Sequence, residues 1–186
     1  MLGRVDTSAV DWPALFPQLF EESYVDYAAA RVAYFTGLAP EELVSRLHVV
    51  AVTEQVEVVV CRSVQGGRFL PGGTRERGES LLELARRELA EEAGAALRGG
   101  LVHFSAHQAD SEADSPYRPH LPHPRAYWGY AVGRVEITGP PLNPPDGEDV
   151  AEVLTLPPRE AAAYLGEDDP VHADIVRHAD ALGLLH

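Results

Sequence analysis

The chain has 186 residues, 45% of them hydrophobic and 24% charged, which suits one domain with a buried core rather than a disordered or fibrous protein. The single cysteine, Cys61, excludes an internal disulfide framework, and the apolar runs fall short of the roughly 20 residues that span a bilayer. A formal net charge of −14, with no basic cluster, argues against nucleic-acid or membrane partners and leaves small phosphorylated ligands reachable through bound cations.

Met1–Val10 lacks a cationic segment followed by an apolar core, so no secretory leader is expected and a cytoplasmic location follows as the expectation. Residues 1–46 read as a helical N-terminal extension. Asp11, Trp12 and Pro13 can start a helix, and Phe16, Leu19, Phe20, Tyr24, Tyr27 and Ala28 recur at helical spacing. A second short helix is expected over Pro40–Leu47, with Glu41 and Glu42 at its positive end. From residue 47 the period changes. His48–Thr53 and Val56–Cys61 are β-branched runs split by Glu54-Gln55, the pattern of a hairpin. Arg68–Leu70 is short and extended, and Pro71-Gly72-Gly73 closes it in a loop.

The clearest helix runs from Ser80 to Ala93. Ser80 and Glu83 form a capping-box pair, Leu82, Ala85, Leu89 and Ala93 share a face, and Gly94 provides the stop. Leu101–His107 reads as a half-buried strand with Val102, Phe104 and Ala106 inward, and with His103 and His107 sharing a face. A polar, proline-rich loop over Gln108–Pro124 leads to a strand at Tyr127–Ile137. A loop at Gly139–Gly147, a last strand at Val150–Leu156, and helices at Glu160–Leu165 and Val171–Leu184 complete the chain. Strands and helices mix without regular alternation, which predicts an α/β (α+β) arrangement around a mixed sheet.

The chemistry concentrates in Gly73–Ala95. Glu88, Glu91 and Glu92 lie three and four residues apart, so their carboxylates leave one side of the helix. Three like charges repel there unless a cation joins them, and hard oxygen donors select magnesium or manganese rather than zinc. Such an ion polarises a phosphoryl oxygen and lowers the pKa of an attacking water. Gly72-Gly73 permits close backbone approach and can aim a main-chain carbonyl at the metal. Arg87 can steady a carboxylate through its planar fork.

This segment resembles the Nudix box: a glycine, a glutamate six positions on, then Arg-Glu-apolar-x-Glu-Glu-x-Gly-apolar. Gly73, Glu79, Arg87, Glu88, Glu91, Glu92 and Gly94 all match, and only Ala95 departs, where a larger aliphatic residue is usual. Seven specified positions would align by chance in roughly one chain in ten thousand, which sets aside a merely acidic amphipathic helix. The resemblance covers about Leu47 to Pro157. It implies an α/β/α sandwich around a mixed β-sheet, a domain over 47–186 including the C-terminal helices, and metal-dependent hydrolysis of a nucleoside diphosphate linked to another moiety. It assigns Glu88, Glu91, Glu92 and the Gly72 carbonyl as metal ligands, with Glu79 and Arg87 supporting their geometry. Family members recruit a further acidic residue from a distant loop. The candidates are Glu148 and Asp149, or Glu112 and Asp114, with Glu148 favoured.

Substrate contacts must lie outside the box. Tyr127, Trp128 and Tyr130 are candidates for stacking a base, against a core role, and Arg118 and Arg125 for phosphate, against a surface role. No subfamily marker is placed. The proline of ADP-ribose hydrolases would fall where Asp110 stands, and Tyr117 comes too late for the dinucleoside-polyphosphate pattern. The alternative to an enzyme is a weakly active nucleotide sensor or interaction protein, but such proteins often lose box glutamates, and this box is intact. The extension fits either a lid or a dimerisation element of a homodimer.

Overall fold

The computed structural model describes residues 10–186 apart from Asp146 and Glu148. Among these residues nine strands form one sheet, with path β1 (Ser23–Val25), β2 (Ala30–Phe35), β7 (Ala95–Ser111), β8 (Arg125–Ile137), β3 (Val44–Val52), β4 (Val58–Ser63) and β5 (Arg68–Phe69). Two strands lie off this path: β6 (Gly72–Thr74) pairs with β3, and β9 (Val150–Leu156) pairs with β4. Strands β3 and β8 run parallel while the other pairs are antiparallel, so the sheet is mixed.

The central strands are apolar on both faces because both are covered. Along β3 the alternation is strict: Val50 and Val52 face one core, and Val49 and Ala51 face the other. The first core closes under α1 (Trp12–Leu15), α2 (Pro17–Phe20), α4 (Pro158–Gly166) and α5 (Pro170–Ala181), through Leu19, Leu165, Ile175 and Val176. The second closes under α3 (Leu81–Ala93), whose Leu84, Ala85 and Leu89 meet Leu47 and Val59. The result is the expected α/β/α sandwich. Helix α3 begins on the capping box read from the sequence: Ser80 Oγ accepts from the Glu83 amide, and Glu83 Oε2 accepts from the Ser80 amide at 2.8 Å.

The extension is helical only over α1 and α2. Pro17 and the non-helical Phe16 (φ −129°, ψ 61°) break it into two turns, anchored by the buried Phe16 and Leu19. Tyr24 and Tyr27, expected on a helix face, instead lie on β1 and in the turn Asp26–Ala28 that follows it. Strand β2 then covers the edge of β7, Ala30 pairing with Ser111 and Phe35 with Ala106, so the extension adds a β-hairpin to the sheet. The helix expected over Pro40–Leu47 is likewise a single 3-10 turn, Glu41–Leu43. Val44 starts the long strand because its pairing with β8 outweighs local propensity.

Strand β7 is longer than the sequence suggests and carries register shifts between Arg98 and Leu101 and between His103 and Ser105. These bulges spoil the alternation expected there. Val102 is exposed, Phe104 enters the first core, and Ala106 enters the second. His103 and His107 consequently point to different surroundings: His103 borders a shallow cavity with Leu38 and Leu81, and His107 meets Tyr130 at 3.0 Å. No helix among the described residues is long and apolar enough to cross a membrane.

Candidate active site

The site forms where β6 passes beneath α3. Val49 N donates to Pro71 O at 2.8 Å, pinning the chain before Gly72, and Gly72 then packs against β3 with a φ of +156°. A side chain at Gly72 would sit 2.3 Å from Leu47 O, so only glycine lets β6 lie this close to the β3 backbone, and one at Gly73 would meet Glu88 Oε1 at 2.2 Å and displace that carboxylate. The Gly72 amide donates to Glu92 Oε2 at 2.8 Å, tying the end of the helix to the loop. Cys61 Sγ adds a second tie, donating to Glu92 O at 3.4 Å from β4.

Arg87 organises the remaining carboxylates. Its Nε and Nη2 grip Glu79 at 2.8 and 3.1 Å, and its Nη1 reaches Glu88 Oε1 at 2.8 Å and Glu91 Oε2 at 3.2 Å. Thr74 O accepts a further bond from Nη2 at 3.2 Å. Burial pushes the Glu79 carboxyl up, but bonds from Arg87 and the Glu76 amide outweigh it and hold the group below the ordinary carboxylate range. At Glu88 the balance reverses: burial outweighs Arg87 and pushes its carboxyl up. No three acidic or histidine groups among the described residues converge on one metal position: Arg87 Nη1 binds Glu88 and Glu91, while Glu92 turns to the Gly72 amide.

Glu88, Glu91, Glu92, Arg87, Gly72 and Gly73 nevertheless line one open polar cavity of about 630 Å³. Arg46, Arg68 and Arg118 line it too, as do Glu76 and Asp168. Arg68 is engaged by Glu167 at 2.7 Å and by the Tyr164 ring, whereas neither Arg46 nor Arg118 forms an ion pair among the described residues.

The other predicted contacts divide. Arg125 is not in the cavity: Asp110 binds its Nε at 2.6 Å and its Nη2 at 3.1 Å, which occupies the fork. Tyr127 is buried against Phe35 with its hydroxyl on Gln108, and Tyr130 is buried beside His107, so both serve the core. Trp128 is half-buried at the margin of the site, stacked parallel to Tyr27. Glu112 pairs with Arg31 at the surface and does not line the cavity, nor does Asp114. Pro144 and Gly147 do line it, Asp149 does not, and Glu148 lies outside the described residues. Arg46 was not singled out by sequence. Its signal was a lone cation interrupting the apolar run of β3.

The NUDIX domain family model matches residues 44–179. No curated protein matches the chain. Among solved structures, the Bacillus subtilis pyrophosphohydrolase BsRppH is 13% identical with a TM-score of 0.58, over 86% of this chain and 97% of that one. A Nudix hydrolase from Nitrosomonas europaea is 18% identical with a TM-score of 0.46, over 73% of this chain and 90% of its own. The first of these likenesses shares the mixed sheet and its flanking helices, and the family match spans the cavity and every box residue. The chain therefore belongs to the Nudix hydrolase family and is a hydrolase acting on acid anhydrides.

Proposed function

We propose that the protein hydrolyses the pyrophosphate bond of a nucleoside diphosphate linked to another moiety, such as a nucleotide sugar, an ADP-ribose-like compound or a nucleoside triphosphate. The observation that carries this reading is that Glu88, Glu91 and Glu92 line one open polar cavity together with the Gly72-Gly73 backbone, which lies directly against Glu88 and Glu92. The donor set fits magnesium or manganese: oxygen only, with one carboxyl, Glu88, whose ionised form burial disfavours and a cation would restore. Glu88, Glu91, Glu92 and the Gly72 carbonyl would hold the ion. Once bound, it would supply Lewis acidity at a phosphoryl oxygen and a more acidic water.

The chain's own groups do the rest. Arg87 and Glu79 fix the rotamers of the box carboxylates, and Arg46 and Arg118, in no ion pair among the described residues, offer cations to phosphate oxygens. Water attacks one phosphorus, the bridging oxygen leaves with the other, and the products are a nucleoside monophosphate and a second phosphorylated compound. A screen of nucleotide derivatives with magnesium, reading phosphate products, identifies the substrate. On that substrate Glu92→Gln keeps the side-chain shape and removes the charge. It should lower kcat at least a hundredfold, about 2.7 kcal/mol. Full activity in that variant would remove the box from the reaction. Activity confined to inorganic polyphosphate or capped RNA would overturn the substrate class.

A further inference from the structure

Beside the acidic cavity the N-terminal hairpin builds an aromatic slot. Tyr27, in the turn after β1, stacks parallel to Trp128 of β8, with ring centroids 6.5 Å apart and planes 10° from parallel. The centroid separation is well beyond the roughly 3.5–4 Å of carbons in contact. Arg46 does not fill the gap. Its guanidinium carbon is 5.9 Å from the Tyr27 centroid and 5.7 Å from that of Trp128, so it flanks the pair. Two adjoining cavities, of about 70 and 160 Å³, are each bordered by both rings.

Position follows from pairing. Arg46 and Trp128 are register partners on adjacent strands, so their side chains share a face of the sheet. The Tyr27 turn is held above them by Glu112 N on Ala29 O at 2.7 Å and by Ser111 Oγ on Ala28 O at 3.4 Å. Arg46 Nη1 donates to Tyr27 Oη at 2.6 Å, while Arg46 Nε is buried without a hydrogen-bond partner among the described residues. Such a donor costs free energy until an acceptor arrives. The slot also opens onto the reaction site: Arg46, Thr74 and Tyr117 line both the 70 Å³ cavity and the acidic one.

We infer that Tyr27 and Trp128 clamp the nucleobase of the substrate while the Arg46 guanidinium binds the phosphate nearer the nucleoside. Stacking holds any flat base, and a cation beside it suits the oxygen of a phosphate ester. Tyr27 lies before residue 44, outside the family match, so nucleoside recognition is contributed by the extension rather than by the conserved box. The assignment presupposes that the acidic cavity takes the pyrophosphate.

The test separates base binding from turnover. The sequence has two tryptophans, and Trp12→Phe leaves Trp128 as the only indole reporter. In EDTA, this protein is titrated with ADP, GDP, CDP and UDP, and with ribose 5-phosphate as the base-free probe. Saturable quenching by at least one diphosphate and none by ribose 5-phosphate is expected. Added Tyr27→Ala should weaken binding at least tenfold, while Tyr27→Phe retains it. Tyr27 is 66% exposed, so its truncation leaves the fold intact. No saturable quenching, equal quenching by ribose 5-phosphate, or unaltered affinity in Tyr27→Ala overturns the clamp. If nucleotide hydrolysis requires Glu92 but KM is unmoved by Tyr27→Ala, the clamp fails and the proposed function stands. Tyr27-dependent quenching without hydrolysis of any nucleotide derivative supports the clamp and overturns the proposed function.

Discussion

Removing Arg87 tests how the box is held together. Arg87→Met keeps most of the stem and deletes a guanidinium that bonds three carboxylates, whose side chains are 10% (Glu79), 9% (Glu88) and 22% (Glu91) exposed. Breaking a buried pair from one side costs roughly 3–5 kcal/mol, because the partner is left charged and desolvated. Glu88 can relieve part of this by taking a proton, since burial already raises its carboxyl, so the lower end of the range applies. We expect a loss of about 3 kcal/mol in urea unfolding at pH 7 in EDTA, or roughly 6–12 °C in Tm for a chain of this size. Arg87→Lys restores a point charge without the fork and should recover less than half. The pH dependence follows from Glu79, whose folded-state pKa is depressed below its ordinary 4.5. Its pairing stabilises the fold fully above that value and is lost as pH falls through the folded value. The gap between wild type and Arg87→Met should therefore narrow under acid conditions. It should also narrow in excess magnesium, which neutralises the same carboxylates. A loss under about 1 kcal/mol at pH 7 would mean that the carboxylates do not depend on Arg87, and the account of the site's geometry would be wrong.

Two further outcomes are expected. Magnesium or manganese at tenfold its dissociation constant should stabilise the protein by about 1.4 kcal/mol, a shift of a few degrees in Tm; no shift with either ion at tens of millimolar would count against a metal site. Burial, with His172 close by, pushes His107 down to about 4, and burial does the same to His178. Each is neutral in the fold, so its contribution is present above pH 6.5 and lost as pH falls from there towards 4, at about 3 kcal/mol for His107. His107→Gln should flatten this slope in thermal melts between pH 7 and 4, and an unchanged slope would refute the assignment.

The box was legible because its chemistry is local. Glycines at a close crossing, an arginine fork and carboxylates at helical spacing all fall within one strand–loop–helix, where sequence separation maps directly onto space. Ser80 and Glu83 were legible for the same reason: a capping box is a contact between neighbours. The sheet's central strands were readable from β-branched runs, but their ends were not. Whether Val44 begins a strand depends on β8, more than eighty residues away in sequence.

The aromatic residues show where pattern reading stops. Tyr127, Trp128 and Tyr130 look alike in sequence, yet pairing sends Tyr127 and Tyr130 into opposite cores and leaves Trp128 at the margin of the cavity. A period-two strand would place Tyr127 opposite in face to Trp128, but it cannot say which face holds the reaction site. Tyr27 was harder still. Its spacing from Phe16, Phe20 and Tyr24 fits a helix, and only the pairing of β2 with the far end of β7 turns that segment into a hairpin arching over Arg46. A helix would have buried the Tyr27 ring against its own neighbours. The hairpin holds it parallel to the Trp128 indole, about a hundred residues further along the chain, and that difference turns an apolar stripe into two rings bordering a cavity of about 70 Å³.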